Sequence, residues 1–311
     1  MYTSRSLMFL YAVSPVHMGT GTAVGVVDNP IQREVHTGHP VLAGSGLKGA
    51  MRDFVRTQKG WSKAEVKRRF GPGPDASDNG TSNASEHAGA VSVGDAHLVV
   101  FPVRSLKGAY VYATSAVALG RLFRLARIAG ASGMPEAVVL EPAENSAVVL
   151  DESLLVGGSL VLESYRFSAQ KDTGALADVA GWLAGAALPQ GPEWDFFRKK
   201  LRSHLVLLPE TWFSHFVHHS TSVEAHVRIN DTTGTADDRG LFYTENVPPE
   251  SLFVSLVMAT EERTGREEGR ESSDQILGAL RDALHANVLQ VGGDATTGRG
   301  QVAVTLGGGG A

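Results

Sequence analysis

The sequence contains no cysteine. A chain without thiols cannot form disulfides, thiolate zinc sites or iron–sulfur clusters, and it has no cysteine nucleophile. Long hydrophobic runs are also missing, because no apolar stretch reaches the roughly eighteen residues that a membrane helix needs. These absences exclude several classes of enzyme, and they predict a soluble protein with no membrane partner.

Positive charge is scarce over the chain as a whole. The 311 residues include 28 Lys and Arg against 33 Asp and Glu, a net charge of −5. This balance lacks the overall basic character of many nucleic-acid-binding domains, so only a local cluster could bind a polyanion. The apolar N-terminal segment continues into HMGTG without a cleavage site, which predicts a cytoplasmic protein without a signal peptide. The densest cationic cluster lies between Lys48 and Arg69.

This cluster begins with a predicted helix in the stretch VLAGSGLKGAMRDFVR, residues 41–56. The spacing predicts a helix from Gly46 with Ser45 as its N-cap and with free amide groups open to an anion. One face is apolar, and three cations spaced four residues apart follow its flank: Lys48, Arg52 and Arg56. The arrangement suits a repeating polyanion, and the alternative is a solvated helix face.

A glycine-rich segment, VGGDATTGRG, lies near the C-terminus. A dinucleotide fingerprint would require a helix after it, whereas the pattern here predicts a strand, so that interpretation fails. The glycines still allow a bulky anion to approach the backbone closely, with Arg299 at hand. The candidate residues are Gly292, Gly293, Gly298 and Arg299, and a simple hairpin turn is the alternative.

Asp28, in the segment VVDNPIQ, is the most interesting carboxylate. An Asp before Asn-Pro is either a turn residue bonded to its own backbone or a catalytic group. Neighbours that could supply acid, base or charge stabilisation are His17, Arg33, Glu34, His36 and His39. A zinc site is the less favoured interpretation of four further histidines, because no acidic partner follows at a matching spacing: His215, His218, His219 and His226.

The hydrophobic pattern predicts an α+β fold with helices on one face of the sheet, most simply a ferredoxin-like core with large insertions. Residues 71–90 are rich in Gly, Pro, Ser, Asp and Asn, which predicts a mobile loop. SVEAHVRIN from Ser222 and LFYTENV from Leu241 alternate in polarity, which predicts a long hairpin.

Five segments taken together resemble a known family: SPVHMGTG, VVDNPIQREVHTGHPVLAGSGLKGAMRD, VFPVRSLKGAYVYATS, LFYTENVP and VGGDATTGRG. In this order they resemble the repeated backbone subunit of the type III-B (Cmr) CRISPR effector complex, a member of the RAMP superfamily. The resemblance spans nearly the whole chain. It implies a single RAMP-type domain, residues 1–311, with an RRM-like palm, a helical fingers insertion and a β-hairpin thumb at residues 222–247.

The same resemblance implies a function. Such subunits stack along a CRISPR guide RNA, here expected to follow Lys48, Arg52, Arg56, Ser45 and Gly46, with the glycine-rich segment nearby. They cut complementary target RNA at regular intervals in a reaction that needs Mg²⁺ or Mn²⁺. Asp28 matches the catalytic aspartate and would hold the metal, with His17 assisting. Expected partners are further copies, a large polymerase-like subunit, a small helical subunit and capping RAMP subunits.

Two alternatives remain open from the residues themselves. The chain could be a non-catalytic RNA-binding scaffold in which Asp28 caps a turn, or the related type III-A backbone subunit. Family members carry an acidic and an aromatic residue where Thr244 and Asn246 stand here. The resemblance therefore leaves open whether the thumb, including Glu245, takes part in catalysis.

Overall fold

The computed structural model describes residues 2–21, 25–73, 87–136, 141–172, 174–265 and 268–307. Most of the predicted loop at 71–90 lies outside these residues, because 74–86 are not described. Within the described ranges, no helix is long and apolar enough to cross a membrane.

The helices are α1 (Gly44–Thr57), α2 (Lys63–Phe70), α3 (Ala116–Ala129), α4 (Ala175–Ala186), α5 (Pro192–His204), α6 (Glu210–His219) and α7 (Ser273–Leu284). The first strands are β1 (Ser4–Ala12), β2 (Val41–Leu42), β3 (Val91–Val93), β4 (Ala96–Arg104), β5 (Tyr110–Thr114), β6 (Ser146–Val149), β7 (Leu155–Val156) and β8 (Ser159–Leu162). The remaining strands are β9 (Tyr165–Lys171), β10 (Leu205–Leu207), β11 (Ser222–Ile229), β12 (Ala236–Asn246), β13 (Leu252–Ala259), β14 (Asn287–Gln290) and β15 (Gln301–Gly307). Short 3₁₀ turns lie at Glu152–Leu154 and Ala295–Thr297.

The palm is a ferredoxin-like sheet. Its four main strands run antiparallel in the order β15–β1–β13–β4, while α1 lies between β1 and β4 in the chain and α7 between β13 and β15. This is a βαββαβ path with spatial order 4-1-3-2, so the predicted core topology is confirmed.

The sheet is covered by helices on both faces, so the expectation of helices on one face is wrong. Successive residues of β1 enter different cores: Met8 and Leu10 pack in the core beneath α1 and α7, whereas Leu7 and Phe9 pack in the core beneath α3 and α4. Adjacent strand residues point to opposite faces, so an unbroken apolar strand requires cover on each side.

The large insertion between β4 and β13 does two things. It carries helices α3 to α6, and it extends the sheet beyond β4 in the order β5–β10–β6–β9–β8–β7. It ends in the hairpin β11–β12, a separate two-stranded sheet that we call the thumb.

The thumb has two different faces because its side chains alternate. Opposed pairs run from Ser222 and Asn246 to Val227 and Leu241, with a bulge beyond. One face carries Val223 and Val227, which are about half exposed. The other carries two cross-strand pairs, Glu224 with Thr244 and His226 with Phe242.

Candidate functional site

Helix α1 begins at Gly44, two residues earlier than predicted. Its N-cap is Ala43, whose side chain offers no cap, so the assignment of Ser45 as N-cap is wrong and Ser45 lies in the first turn. The acceptor comes from elsewhere in the chain, because the Gly44 N–H donates to Oδ1 of Asp95 at 2.7 Å. The start of the helix is therefore already bonded to one carboxylate.

A groove of about 740 Å³ lies between α1 and the glycine-rich segment, and we call it the helix groove. Four of the predicted residues line it together: Ser45, Gly46, Gly292 and Gly293. Gly292 has φ of +80°, and a Cβ there would lie 2.2 Å from the backbone oxygen of His17. Only glycine fits at this position, because a side chain would overlap fixed backbone.

The predicted cationic flank does not line this groove. None of Lys48, Arg52 and Arg56 is among its lining residues, whose one charged side chain among the described residues is that of Asp53. Arg56 instead forms an exposed ion pair with Asp53 at 2.7 Å. The glycine-rich segment was expected near the cations, and it lines the helix groove while they do not.

Lys48 and Arg52 form the core of a compact cationic group. Lys48 is half-buried, and its pKa is lowered by desolvation and by the positive charges of Arg52 and Arg263. Within the described chain Lys48 has no hydrogen-bond or ion-pair partner, while Arg52 donates to the backbone oxygen of Pro72 at 3.3 Å. Uncompensated cations brought together out of water favour an anion.

A second cavity, of about 460 Å³, lies where the thumb meets the palm, and we call it the thumb-root cleft. Residues from five separate parts of the chain meet there. Its lining consists of His17, Gly19, Thr20, Gly21, Asn29, Pro30, His226, Phe242, Thr244, Gly293, Asp294 and Thr297.

Asp28 is not itself a lining residue of this cleft but directly precedes the lining residue Asn29 in the chain. Its Oδ2 accepts the backbone N–H of Tyr243 at 2.7 Å, a bond to the thumb and not to its own turn. The neighbouring Asn29 donates its N–H to the Tyr243 oxygen at 3.0 Å and accepts from the Glu245 N–H at 3.0 Å. The segment thus pairs with the outer edge of β12. Asp28 is exposed, and its Oδ1 has no partner within the described residues.

His17 is oriented by the thumb as well. Its Nδ1 lies 2.7 Å from the backbone oxygen of Glu245. Because a carbonyl oxygen only accepts, Nδ1 carries the hydrogen, and in the neutral ring Nε2 is left with a free lone pair. A Cβ on Gly19 would lie 2.7 Å from Nε2, so glycine leaves room around this nitrogen.

Glu245 joins the thumb to the loop that carries Asp28. Its carboxylate is buried, with the residue 7% exposed. It accepts the Ile31 N–H at 3.1 Å, pairs with Nη2 of Arg33 at 2.5 Å and accepts the Thr221 hydroxyl at 2.8 Å. The sequence carried no signal for this contact, because Arg33 and Glu245 are 212 residues apart.

Arg299, predicted to be at hand for an anion beside the glycine-rich segment, is engaged with the thumb. Its guanidinium is paired with the carboxylate of Glu224 on β11. Gly298, with φ of +80°, ends the 3₁₀ turn before it. Neither Gly298 nor Arg299 lines the helix groove or the thumb-root cleft.

Two of the other acid–base candidates, Glu34 and His39, are held by contacts within the fold. Glu34 is buried and bonded to His97, Thr37 and Arg121, and although burial opposes the shift, these partners lower its pKa to about 2. Burial lowers the pKa of His39 to about 4, and its Nε2 lies 2.9 Å from the Ser214 hydroxyl. Across the described ranges, no group of three or more His, Asp or Glu residues is placed to hold a metal ion.

Comparison with known proteins agrees with this architecture. Residues 9–303 match the family model of the RAMP superfamily. The chain is 36% identical over 301 residues to the CRISPR system Cmr endoribonuclease Cmr4 of Pyrococcus furiosus, covering 96% of this chain and 95% of that protein. It is 25% identical to the CRISPR system CMR subunit Cmr4 of Saccharolobus solfataricus, with coverage of 97% and 96%.

Solved structures show the same fold. Oligomeric Cmr4 from Pyrococcus furiosus superimposes with a TM-score of 0.74 at 28% identity, covering 98% of both chains. A chain of the type III-B Cmr-beta complex bound to cognate target RNA gives a TM-score of 0.70 at 18% identity, covering 98% of both chains, and supports the fold alone. The chain therefore belongs to the RAMP superfamily and, within it, to the Cmr4 family of type III-B CRISPR systems.

Proposed function

We propose that this chain is the guide-RNA-binding backbone subunit of a type III-B effector complex and that it cleaves target RNA at regular intervals. Family membership and the endoribonuclease named among its relatives support the role. The observation that carries the catalytic part is the exposed carboxylate of Asp28, which is bonded to the thumb backbone and precedes Asn29, a residue that lines the same cleft as His17.

The chemistry proposed for the thumb-root cleft is attack of a ribose 2′-hydroxyl on its own phosphate. Thumb and palm together would hold one target nucleotide unstacked, so that the 2′-oxygen lies in line with the scissile bond. Asp28 or the free Nε2 of His17 would accept the hydroxyl proton. The products are a 2′,3′-cyclic phosphate and a 5′-hydroxyl.

A divalent ion, Mg²⁺ or Mn²⁺, is part of this proposal. The protein supplies one candidate ligand, Oδ1 of Asp28, and the described residues include no preformed cluster of three. This donor set fits an ion of the kind that is held by one carboxylate, water and substrate phosphate oxygens. When bound, the ion would stabilise the charge that develops on the phosphate.

The guide is proposed to follow the cationic group on α1, with Lys48 and Arg52 at its phosphates and Arg56 beyond them. The helix groove, with Ser45, Gly46 and the glycines, would take uncharged parts of the strand, because its lining has no basic side chain among the described residues. Expected partners are guide RNA, target RNA, further copies of this chain, a large polymerase-like subunit, a small helical subunit and capping RAMP subunits. The site of action is the cytoplasm.

The test is the isosteric change Asp28→Asn in a complex assembled with guide RNA. The variant can still accept the Tyr243 N–H but loses the negative charge, so guide and target binding should persist while the cleavage rate falls at least 10²-fold. Asp282→Asn, on the exposed face of α7, is the matched control and should cleave normally. If Asp28→Asn cleaved as fast as wild type, Asp28 would not be the catalytic residue. If the wild-type complex also left the target RNA uncut, the chain would be a non-catalytic RNA-binding scaffold.

A further inference from the structure

We infer that His226, on thumb strand β11, is a second catalytic residue, the general acid that protonates the leaving 5′-oxygen of the target RNA. The inference rests on the proposed ribonuclease function and adds a residue to it. It explains why an imidazole stands on the face of the thumb that closes the thumb-root cleft.

The position of His226 follows from the register of the hairpin. His226 lies opposite Phe242, and its ring stacks on the Phe242 ring with centroids 5.1 Å apart and planes inclined by 18°. Both residues line the cleft together with His17 and Asn29. The stacked Phe242 holds the imidazole plane, so its nitrogens can reach a substrate in the cleft without a search through rotamers.

One carboxylate lies close to this imidazole. On its own strand, Oε2 of Glu224 lies 4.0 Å from Nε2 of His226. Arg299, from the glycine-rich segment, pairs with the same carboxylate and offsets its charge. His17 and Asp294 also line the cleft.

The cleft offers few other proton donors. The hydroxyls of Thr244 and Thr297 and the amide of Asn29 are too weakly acidic to act near neutral pH. His17 has its Nδ1–H directed to the Glu245 carbonyl, which leaves Nε2 to accept a proton. A protonated imidazole carries an N–H on both ring nitrogens, so His226 is the lining group suited to give a proton.

The proposed step is balanced in atoms and electrons. The 2′-oxygen forms a bond to phosphorus as its proton passes to Asp28 or to His17. The bond between phosphorus and the 5′-oxygen breaks, and its electron pair stays on that oxygen. The ring proton of His226 moves to the same oxygen, so the products are a 2′,3′-cyclic phosphate, a 5′-hydroxyl and neutral His226.

The test compares two substrates in the assembled complex. One target is ordinary RNA, and the other carries sulfur in place of the 5′-bridging oxygen at one cut position. A thiolate leaves without protonation, so it makes a general acid unnecessary. His226→Phe keeps the stack on Phe242 but has no proton to give, and His226→Ala removes both. His219→Ala, on the exposed surface of α6, is the matched histidine control.

We expect both His226 variants to cut ordinary RNA about 10²-fold or more slowly, and to cut the sulfur substrate within a few-fold of wild type. The His219→Ala control should cut both substrates like wild type.

Two results would overturn the assignment while leaving the proposed function standing. One is wild-type cleavage of ordinary RNA by His226→Phe, which would give the ring a stacking role alone. The other is an equal loss on both substrates, which would show that His226 does not protonate the leaving group. If the wild-type complex cuts neither substrate, the proposed function fails, and this inference fails with it.

Discussion

At the scale of single residues, the candidate site depends on contacts between groups far apart in the sequence. Asp28 is held by the Tyr243 N–H, and His17 by the Glu245 carbonyl. The buried carboxylate of Glu245 also bonds the Ile31 N–H and pairs with Arg33. We expect Glu245 to position the catalytic groups without itself touching RNA.

Glu245→Gln should therefore affect both stability and cleavage. The change leaves Arg33 without its counter-charge, which should lower the free energy of unfolding by about 1–3 kcal/mol. Cleavage should fall by roughly 10²-fold, because small displacements of positioned groups are costly. Urea denaturation and a cleavage assay measure the two effects. The control Glu163→Gln breaks only the ion pair with the exposed Arg104, so it should change neither the free energy of unfolding nor the cleavage rate.

The buried imidazole of His39 should make the free energy of unfolding fall in acid. Burial holds its pKa at about 4, against 6.5 in the unfolded chain. Between these values the unfolded state takes up a proton that the native state does not, so stability falls as pH falls. The loss should total roughly 3 kcal/mol between pH 6.5 and pH 4. Urea denaturation across this range checks it. His39→Gln should flatten the dependence, and a slope unchanged in that variant would contradict the assignment.

At the scale of elements, α1 shows what periodicity predicts and what it misses. Its core residues Leu47, Met51 and Val55 are buried, as the spacing indicated. Its start was misplaced because the cap is Asp95, about fifty residues along the chain, and no local pattern reports such a partner. Periodicity also gives no information on which flank of a helix adjoins a distant loop.

Two glycines of α1 should respond in opposite directions to alanine. A Cβ on Gly44 would lie 2.4 Å from the backbone oxygen of Val93, whereas a Cβ on Gly49 meets nothing within 4 Å. Gly44→Ala should destabilise the protein, because backbone must move. Gly49→Ala should stabilise it by up to about 1 kcal/mol through helix propensity. Thermal denaturation of both variants decides the point, and effects of the same sign would contradict this packing.

The thumb marks a similar limit of sequence reasoning. Alternating polarity predicted the hairpin, and Ser222–Ile229 and Ala236–Asn246 form it. The bulge beyond Val227 and the stacking of His226 on Phe242 depend on register, which alternation alone does not fix. The importance of His226 was therefore visible only in the structure.

At the scale of the whole molecule, a chain with net charge −5 still brings three cations close together at α1: Lys48, Arg52 and Arg263. Burial and the nearby positive charges of Arg52 and Arg263 lower the pKa of Lys48. Lys48 has no acidic partner in the described chain. The ferredoxin-like core was predictable from its strand and helix pattern. The separation of this cationic group from the helix groove was not, because it depends on how α1 packs against the sheet.

The double change Lys48→Ala plus Arg52→Ala should weaken guide binding and flatten its salt dependence. A variant that contacts fewer phosphates releases fewer counterions when it binds RNA. The slope of log K against log salt should therefore fall in magnitude by about one to two. Filter binding at several salt concentrations measures it. Arg202 is an exposed residue of α5, and the control variant Arg202→Ala should have the same slope as wild type. If the double variant also kept the wild-type slope, the cationic group would not lie on the path of the guide.

The most direct test of the central claim assembles complexes from wild-type and Asp28→Asn subunits in known proportions and maps the cuts in a long complementary target. If each subunit cuts with its own Asp28, every cut position persists, and the cleavage at each falls in proportion to the variant fraction. Cleavage that is independent of that fraction would contradict the account.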